Sequence, residues 1–242
     1  MSDDQPITST PASPSSRNTL LPVSILIAAV LISGSIIYAV GTKNSPAVPL
    51  GPAARNAAAL FAVLAQDTVL GDAKAPVTVI EYGDYQCPFC GKFFENVEQV
   101  VRDKYVKTGK AKFIFRNFEF LGPESNAAGV AAECARDQGQ FWGYHDALYR
   151  AEIADGHENN GNLNKGLFVK LARELKLDEK TFVSCFESGK KESIVAEETA
   201  GGREAGVDAT PTTFVNGINI RGLAPNDTRV IQTIEAALKG QK

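Results

Sequence analysis

Two cysteines separated by two residues, Cys87-Pro88-Phe89-Cys90, lie where a strand-like run gives way to a helix-like one. Residues 76–82, PVTVIEY, are short, β-branched and largely apolar, the signature of a buried strand. Gly83 to Gln86 break that run. From Pro88 to Val106 an apolar face follows, supplied by Phe93, Phe94, Val97, Val100, Val101 and Tyr105. A second strand is predicted at 111–118, and the helical stretch before it is long enough for a right-handed βαβ crossover. The cysteine pair therefore belongs to the core of an α/β layer fold, at the end of a strand and the start of a helix.

Beyond residue 124 the pattern is helical to about residue 200. Helices are predicted in 126–150, 163–177 and 180–206, with the polar segment 152–164 as a loop. Short strands return at 212–216 and 218–221, turned by Gly217, and a last helix is predicted from about Pro225 to Leu238. The sheet is interrupted by a helical insertion and then completed.

The first 45 of the 242 residues cannot join that core. Residues 1–19 are rich in Ser, Thr, Pro and Asp, with little to bury, and are expected to be disordered. Leu20 to Val40 is 21 uncharged residues, the length of one membrane-spanning helix. It is longer than a secretory signal's apolar region, and its YAVGTK exit is a poor cleavage site, so an uncleaved anchor is expected. Arg17 precedes this segment and Lys43 follows it, a narrow vote for a cytoplasmic tail. Residues 41–67, with Pro46, Pro49 and Pro52 before an Ala-rich run, read as a spacer, and the folded body is expected from Thr68 to the end.

A formal net charge of -3 offers no basic surplus for a phosphate backbone, which argues against a nucleic-acid partner. No dinucleotide fingerprint or phosphate-binding Gly loop occurs, so no bound flavin or nicotinamide is expected.

The cysteine pair carries the chemistry. Free N–H groups and the positive dipole end at a helix start stabilise a thiolate, and two intervening residues put the second thiol one turn away. Cys87 is expected to be an exposed nucleophile and Cys90 a more buried resolver. Pro88 is well placed in the first helical turn. A zinc site would need two more ligands, and neither a second close pair nor a Cys-x-x-x-His spacing is present, so no metal is expected. His145 reads as a packed helix residue and His157 as a solvated loop residue. Cys134 and Cys185, both in apolar surroundings, are either separate buried thiols or one structural disulfide; an oxidising compartment favours the disulfide. That chemistry also votes for placing residues 41–242 outside the cytoplasm.

The stretch VLGDAKAPVTVIEYGDYQCPFCGKF, the later AAECARDQGQFWGYHDALY and the terminal GVDATPTTFVNG together resemble the DsbA-like branch of the thioredoxin superfamily over about residues 68–240. The resemblance implies an α/β, thioredoxin-like fold with an inserted all-helical subdomain at about 124–200, preceded here by one N-terminal transmembrane helix. It implies that Cys87 is the nucleophile, Cys90 its partner, and the Thr210-Pro211 bond cis, with Pro211 beside the disulfide and the Thr210 backbone free to pair with an extended substrate. Glu81, six residues before Cys87, resembles the buried acid that relays a proton near the resolving thiol; a strand-end carboxylate facing water is the alternative. Asp84 reads as a turn or helix-start residue.

One departure stands out: strongly oxidising members carry His where this chain has Phe89, which can neither donate a hydrogen bond nor lend positive charge to the Cys87 sulfur. A less oxidising couple is expected, with Phe89 serving instead as apolar contact surface for substrate. The leading expectation is a monomeric, membrane-anchored thiol-disulfide oxidoreductase on the outer side of the cell membrane. It would form disulfides in reduced, unfolded secreted proteins and be reoxidised by a membrane redox partner. An isomerase, a reductase and a non-enzymatic copper- or peptide-binding module are the alternatives.

Overall fold

The computed structural model describes residues 61–222 and 227–240. The expected tail at 1–19, the anchor at 20–40 and most of the spacer lie outside the described residues.

Strand β1 (Val77–Gly83) leads into a helical run, α1, that opens as Pro88–Phe93, passes through Gln99–Val101, and includes π-helical turns at Phe94–Glu98 and Arg102–Val106. Strand β2 (Ala111–Asn117) then pairs parallel to β1, from Val77↔Ala111 to Gly83↔Asn117. Nearly every residue of both strands is buried, as a parallel pair covered on both faces requires. The predicted βαβ unit is therefore present.

Five helices follow before the sheet resumes: α2 (Pro123–Arg136), α3 (Phe141–Asp155), α4 (Lys165–Glu174), α5 (Glu179–Glu187) and α6 (Glu192–Glu204). The helical pattern read across 126–150 is broken at Gly139, whose φ of 73° suits a residue without a side chain. Helix α3 runs to Asp155, four residues into the predicted loop, and stops at the left-handed Gly156. Asn164 and Asp178 cap α4 and α5, accepting from the N–H groups of Leu167 and Thr181. A disulfide between Cys134 and Cys185 ties α2 to α5, with the Cα atoms 5.8 Å apart.

Strands β3 (Thr212–Val215) and β4 (Ile218–Arg221) complete a four-stranded sheet in the order β2-β1-β3-β4, with β3 antiparallel to both neighbours. Helix α7 spans Arg229–Lys239, starting four residues later than Pro225, where the sequence pattern placed it; Asp227 accepts the Arg229 N–H at 2.8 Å and sets the start.

Strand alternation sorts the core into faces. Val77, Val79 and Phe113 pack with Phe93, Val97 and Val101 of α1 and with Val230 and Ile234 of α7. Ile80, Tyr82, Ile114 and Phe214 face the other way, against Phe118, Val207 and Phe61. Contacts to the body start upstream of Thr68: Phe61 lies on Phe214, and Arg116 holds Asp67 at 2.8 Å. A third cluster joins Tyr85, Cys87, Cys90 and Phe115 to the helical insertion, so the cysteine pair sits where sheet and insertion meet.

Candidate active site

The turn that delivers Cys87 to the start of α1 is organised by Asp84. Its carbonyl accepts the Cys87 N–H at 3.0 Å. Its buried carboxylate accepts from the Gln86 N–H, the Ser125 hydroxyl, and the Phe120 and Leu121 N–H groups, at 2.7 to 3.3 Å. Asp84 thus fulfils its reading as a turn residue and also joins the β1–α1 turn to the β2–α2 turn. Burial pushes its carboxyl above the usual carboxylate range, against the pull of these bonds. Gln86 adds a second tie, donating to Ser125 at 2.8 Å and accepting from the Asn159 N–H at 2.6 Å.

Cys87 and Cys90 are free thiols. Cys90 is fully covered, and Cys87 is only 5% exposed, which corrects the expectation of an exposed nucleophile. Part of the cover comes from a segment 123 residues away in the chain: Cys87 Sγ lies 3.6 Å from the Thr210 carbonyl oxygen. The Thr210-Pro211 bond is cis, and both residues are buried. Beside Cys87 a cavity of about 310 Å³ opens between the start of α1 and the end of α3, walled by Pro88, Gly91, Glu152, Ile153 and His157.

Electrostatics separate the two thiols. A hydrogen bond from the Cys90 thiol brings Cys87 down to about 7, with Thr210 and the N–H groups of Cys90 and Phe89 assisting against desolvation. Cys90 is pushed far up, first by burial and then by its bond to Cys87. Glu81, in the middle of β1 between Phe115 and Thr213, is fully buried, so its side chain does not face water. Neither of its oxygens has a hydrogen-bond partner among the described residues. Burial, and then the nearby Glu98, hold its carboxyl well above the ordinary range.

Comparisons with known proteins agree with this geometry. Residues 64–236 match the family model described as Thioredoxin. The chain is 32% identical over 176 residues to disulfide bond formation protein D of Bacillus subtilis, covering 72% of this chain and 78% of that protein. This chain belongs to the DsbA-like branch of the thioredoxin superfamily. The crystal structure of oxidised BdbD from Bacillus subtilis superposes with a TM-score of 0.65 at 31% identity, over 72% of this chain and 94% of that one. The α-DsbA1 of Wolbachia pipientis shares the fold, with a TM-score of 0.66 at 24% identity over 77% of this chain and 100% of that chain.

The DsbA-like protein is thus a protein thiol-disulfide oxidoreductase, built on a Cys-x-x-Cys pair. Pro88 and Phe89 are exposed beside the pair, Phe89 at 54%, with the Lys92 ammonium 5.6 Å from its ring. His145 is buried on α3, its Nδ1 3.2 Å from the Tyr85 hydroxyl, and His157 is exposed in the following loop, as read from the sequence. No group of three or more His, Cys, Asp or Glu side chains is placed to hold a metal ion among the described residues. Sequence reasoning missed the polar staples Gln86, Ser125 and Asn159, and the second buried acid, Glu98. Glu98 had one available signal: it falls among the apolar positions of an amphipathic helix, next to Val97.

Proposed function

We propose that the protein forms disulfides in reduced, unfolded secreted proteins, with Cys87 as nucleophile, Cys90 as resolver and Glu81 as proton carrier. In the disulfide form, a substrate thiolate attacks Cys87 Sγ. The Cys87–Cys90 bond breaks, a substrate–Cys87 mixed disulfide forms, and Cys90 leaves and takes a proton from Glu81. A second substrate thiolate then attacks the substrate sulfur of that bond. The substrate is released oxidised by two electrons, with Cys87 as the departing thiolate and the pair reduced. A membrane electron acceptor restores the disulfide.

The observation that carries this reading is the asymmetry of the pair: Cys87, at about 7, is a good leaving and attacking thiolate, while Cys90, pushed far up, holds its proton. The Thr210 carbonyl lies beside Cys87, and in this reading Pro211 would pack next to the pair, the Thr210 backbone would pair with an extended substrate, and Phe89 and Pro88 would supply apolar contact. The test is turnover of a reduced dithiol peptide. Cys87→Ala is expected to abolish it, and unchanged turnover would overturn the reading.

The location is part of the proposal. The uncharged run 20–40 would anchor the chain by a single pass, with the catalytic body outside the cytoplasm; the Cys134–Cys185 bridge suits such an oxidising compartment. Alkaline extraction of membranes should leave the full-length chain in the pellet, and release to the supernatant would count against an anchor.

Reductase or isomerase action has one observation in its favour. A Cys87 thiol at about 7 lies near the thioredoxin range of roughly 7 rather than the DsbA value of roughly 3.5. The reduction potential against glutathione is therefore expected between roughly -120 and -270 mV. A value at the oxidising end would favour pure oxidase action, and one at the reducing end a reductase.

A further inference from the structure

Two carboxylates are buried close enough to act on one another, and one of them, Glu81, also acts on Cys90. Glu81 comes from β1 and Glu98 from α1, and both are fully buried. They differ in company. Glu98 is ion-paired to Arg102, one turn further along α1, and faces Nε2 of His145 on α3 at 3.4 Å. Arg102 is held in turn by Asp146 at 2.8 Å and lies 4.9 Å from the Trp142 ring. Glu81 has neither a hydrogen-bond nor an ion-pair partner among the described residues, and the hydroxyl of Thr213, its neighbour across the strand pair, has no hydrogen-bond partner either.

The rings beside Glu81 also pack on His145, the neighbour of Glu98. Phe115, the register partner of Glu81 on β2, meets the His145 ring edge-on at 4.7 Å. Tyr149 lies 4.9 Å from His145 on one side. On the other, its hydroxyl and Glu81 Oε1 crowd the same space above Gly83, 2.9 and 3.2 Å from where a Cβ would stand. Charges separated by packed rings are poorly screened, so two carboxylates here cannot both ionise cheaply. The one ion-paired to the Arg102 guanidinium ionises.

We propose that Glu98 is a positioning residue for the exchange reaction: its carboxylate, pinned by Arg102 and His145, keeps the partnerless Glu81 protonated, so that a proton is in place when Cys90 leaves as a thiolate. The inference rests on the reading of Glu81 as proton carrier. The transfer is balanced: Glu81 gives its proton to the Cys90 sulfur, becomes an anion beside Glu98, and recovers a proton from solvent because that like-charged state is unfavourable. The opposed directions of the two acids agree. Burial alone would raise Glu98, but His145 and Arg102 bring it below the ordinary range, whereas Glu81 is raised. The other titratable or charged groups around them are Cys87, Cys90 and Arg102 on α1, Tyr85 before it, and His145, Asp146 and Tyr149 on α3.

The test is the reduction potential of the Cys87–Cys90 pair measured against pH in the full chain. A proton site linked to the redox change gives a break in that dependence, and the break belonging to Glu81 is the one lost in Glu81→Gln. In Glu98→Gln that break is expected to move down by about one pH unit, and in Glu98→Asp to stay near its wild-type position. A break unmoved in Glu98→Gln, while still absent in Glu81→Gln, would overturn the role of Glu98 alone. No break lost in Glu81→Gln would overturn the Glu81 reading and this inference with it. Should Glu98→Gln fail to fold, the charge-balanced Glu98→Gln/Arg102→Gln pair asks the same question. It expects a smaller downward shift, because Glu98 acts on Glu81 more strongly than Arg102 does, and an unmoved break there is equally decisive.

Discussion

Cys87 Sγ lies 3.6 Å from the carbonyl oxygen of Thr210, although 123 residues separate them in the chain. Helix α1 presents the sulfur, and the segment entering β3 closes over it, so the reactive atom is covered while remaining beside the cavity at the end of α3. Its reactivity is therefore set by a few fixed neighbours rather than by bulk water.

The first of those neighbours is Cys90. In the reduced protein the rate of Cys87 alkylation should rise with pH around a midpoint near 7. Cys90→Ala removes the hydrogen bond that does most to lower it, and the midpoint should climb toward the ordinary thiol value of about 8.5. An unchanged midpoint would show that the helix start and Thr210, not Cys90, hold the thiolate.

Arg116 is 2% exposed and binds Asp67, the Tyr82 hydroxyl at 3.0 Å and the Ala62 carbonyl at 2.7 Å. Its replacement by Ala leaves the Asp67 carboxylate buried without that cation. The expected loss is about 3–5 kcal/mol in denaturant unfolding, with much of it recovered in Arg116→Met/Asp67→Leu, where no buried charge is stranded. Equal losses in the single and double variants would show that packing, not charge, fastens residues 61–67 to the body.

Glu119 is raised to about 9, first by burial and then by Asp84. A carboxyl whose folded value exceeds its unfolded one contributes its full stability below about 4.5, and that contribution is lost as pH rises through about 9. Glu119→Gln should therefore be more stable than wild type at pH 9, by about 1–2 kcal/mol, and show no such gain at pH 4. Urea midpoints at the two pH values decide it; a gain of equal size at both would mean that the amide merely packs better.

The Cys134–Cys185 bridge closes a sequence separation of 51 between α2 and α5. Cys134→Ala/Cys185→Ala is expected to cost about 2–4 kcal/mol of stability while leaving exchange at Cys87 intact. Loss of exchange without loss of stability would assign the bridge a redox part instead.

The sheet-building runs were legible because local chemistry dictates them. PVTVIEY and AKFIFRNF have the apolar continuity of strands buried on both faces, and Cys-Pro-Phe-Cys stands at a strand-to-helix junction by spacing alone. The helical insertion was visible as a change of period, although the turns at Gly139 and Gly189 that divide it were not; both glycines adopt positive φ within stretches whose composition still reads as helix.

Thus the amino-acid sequence by itself determined the order of elements and the reactive pair, since each depends on neighbours within a few residues. Tertiary structure alone decided how covered Cys87 is, because part of its cover arrives from Thr210 across the chain. It also decided which buried acid goes without a partner. Glu81 and Glu98 look alike in the sequence, but folding places Arg102 and His145 beside Glu98 and leaves Glu81 without a hydrogen-bond or ion-pair partner among the described residues. A carboxyl's charge depends on the groups brought within a few ångströms of it, and that proximity exists only once the sheet and the helical insertion have closed on one another.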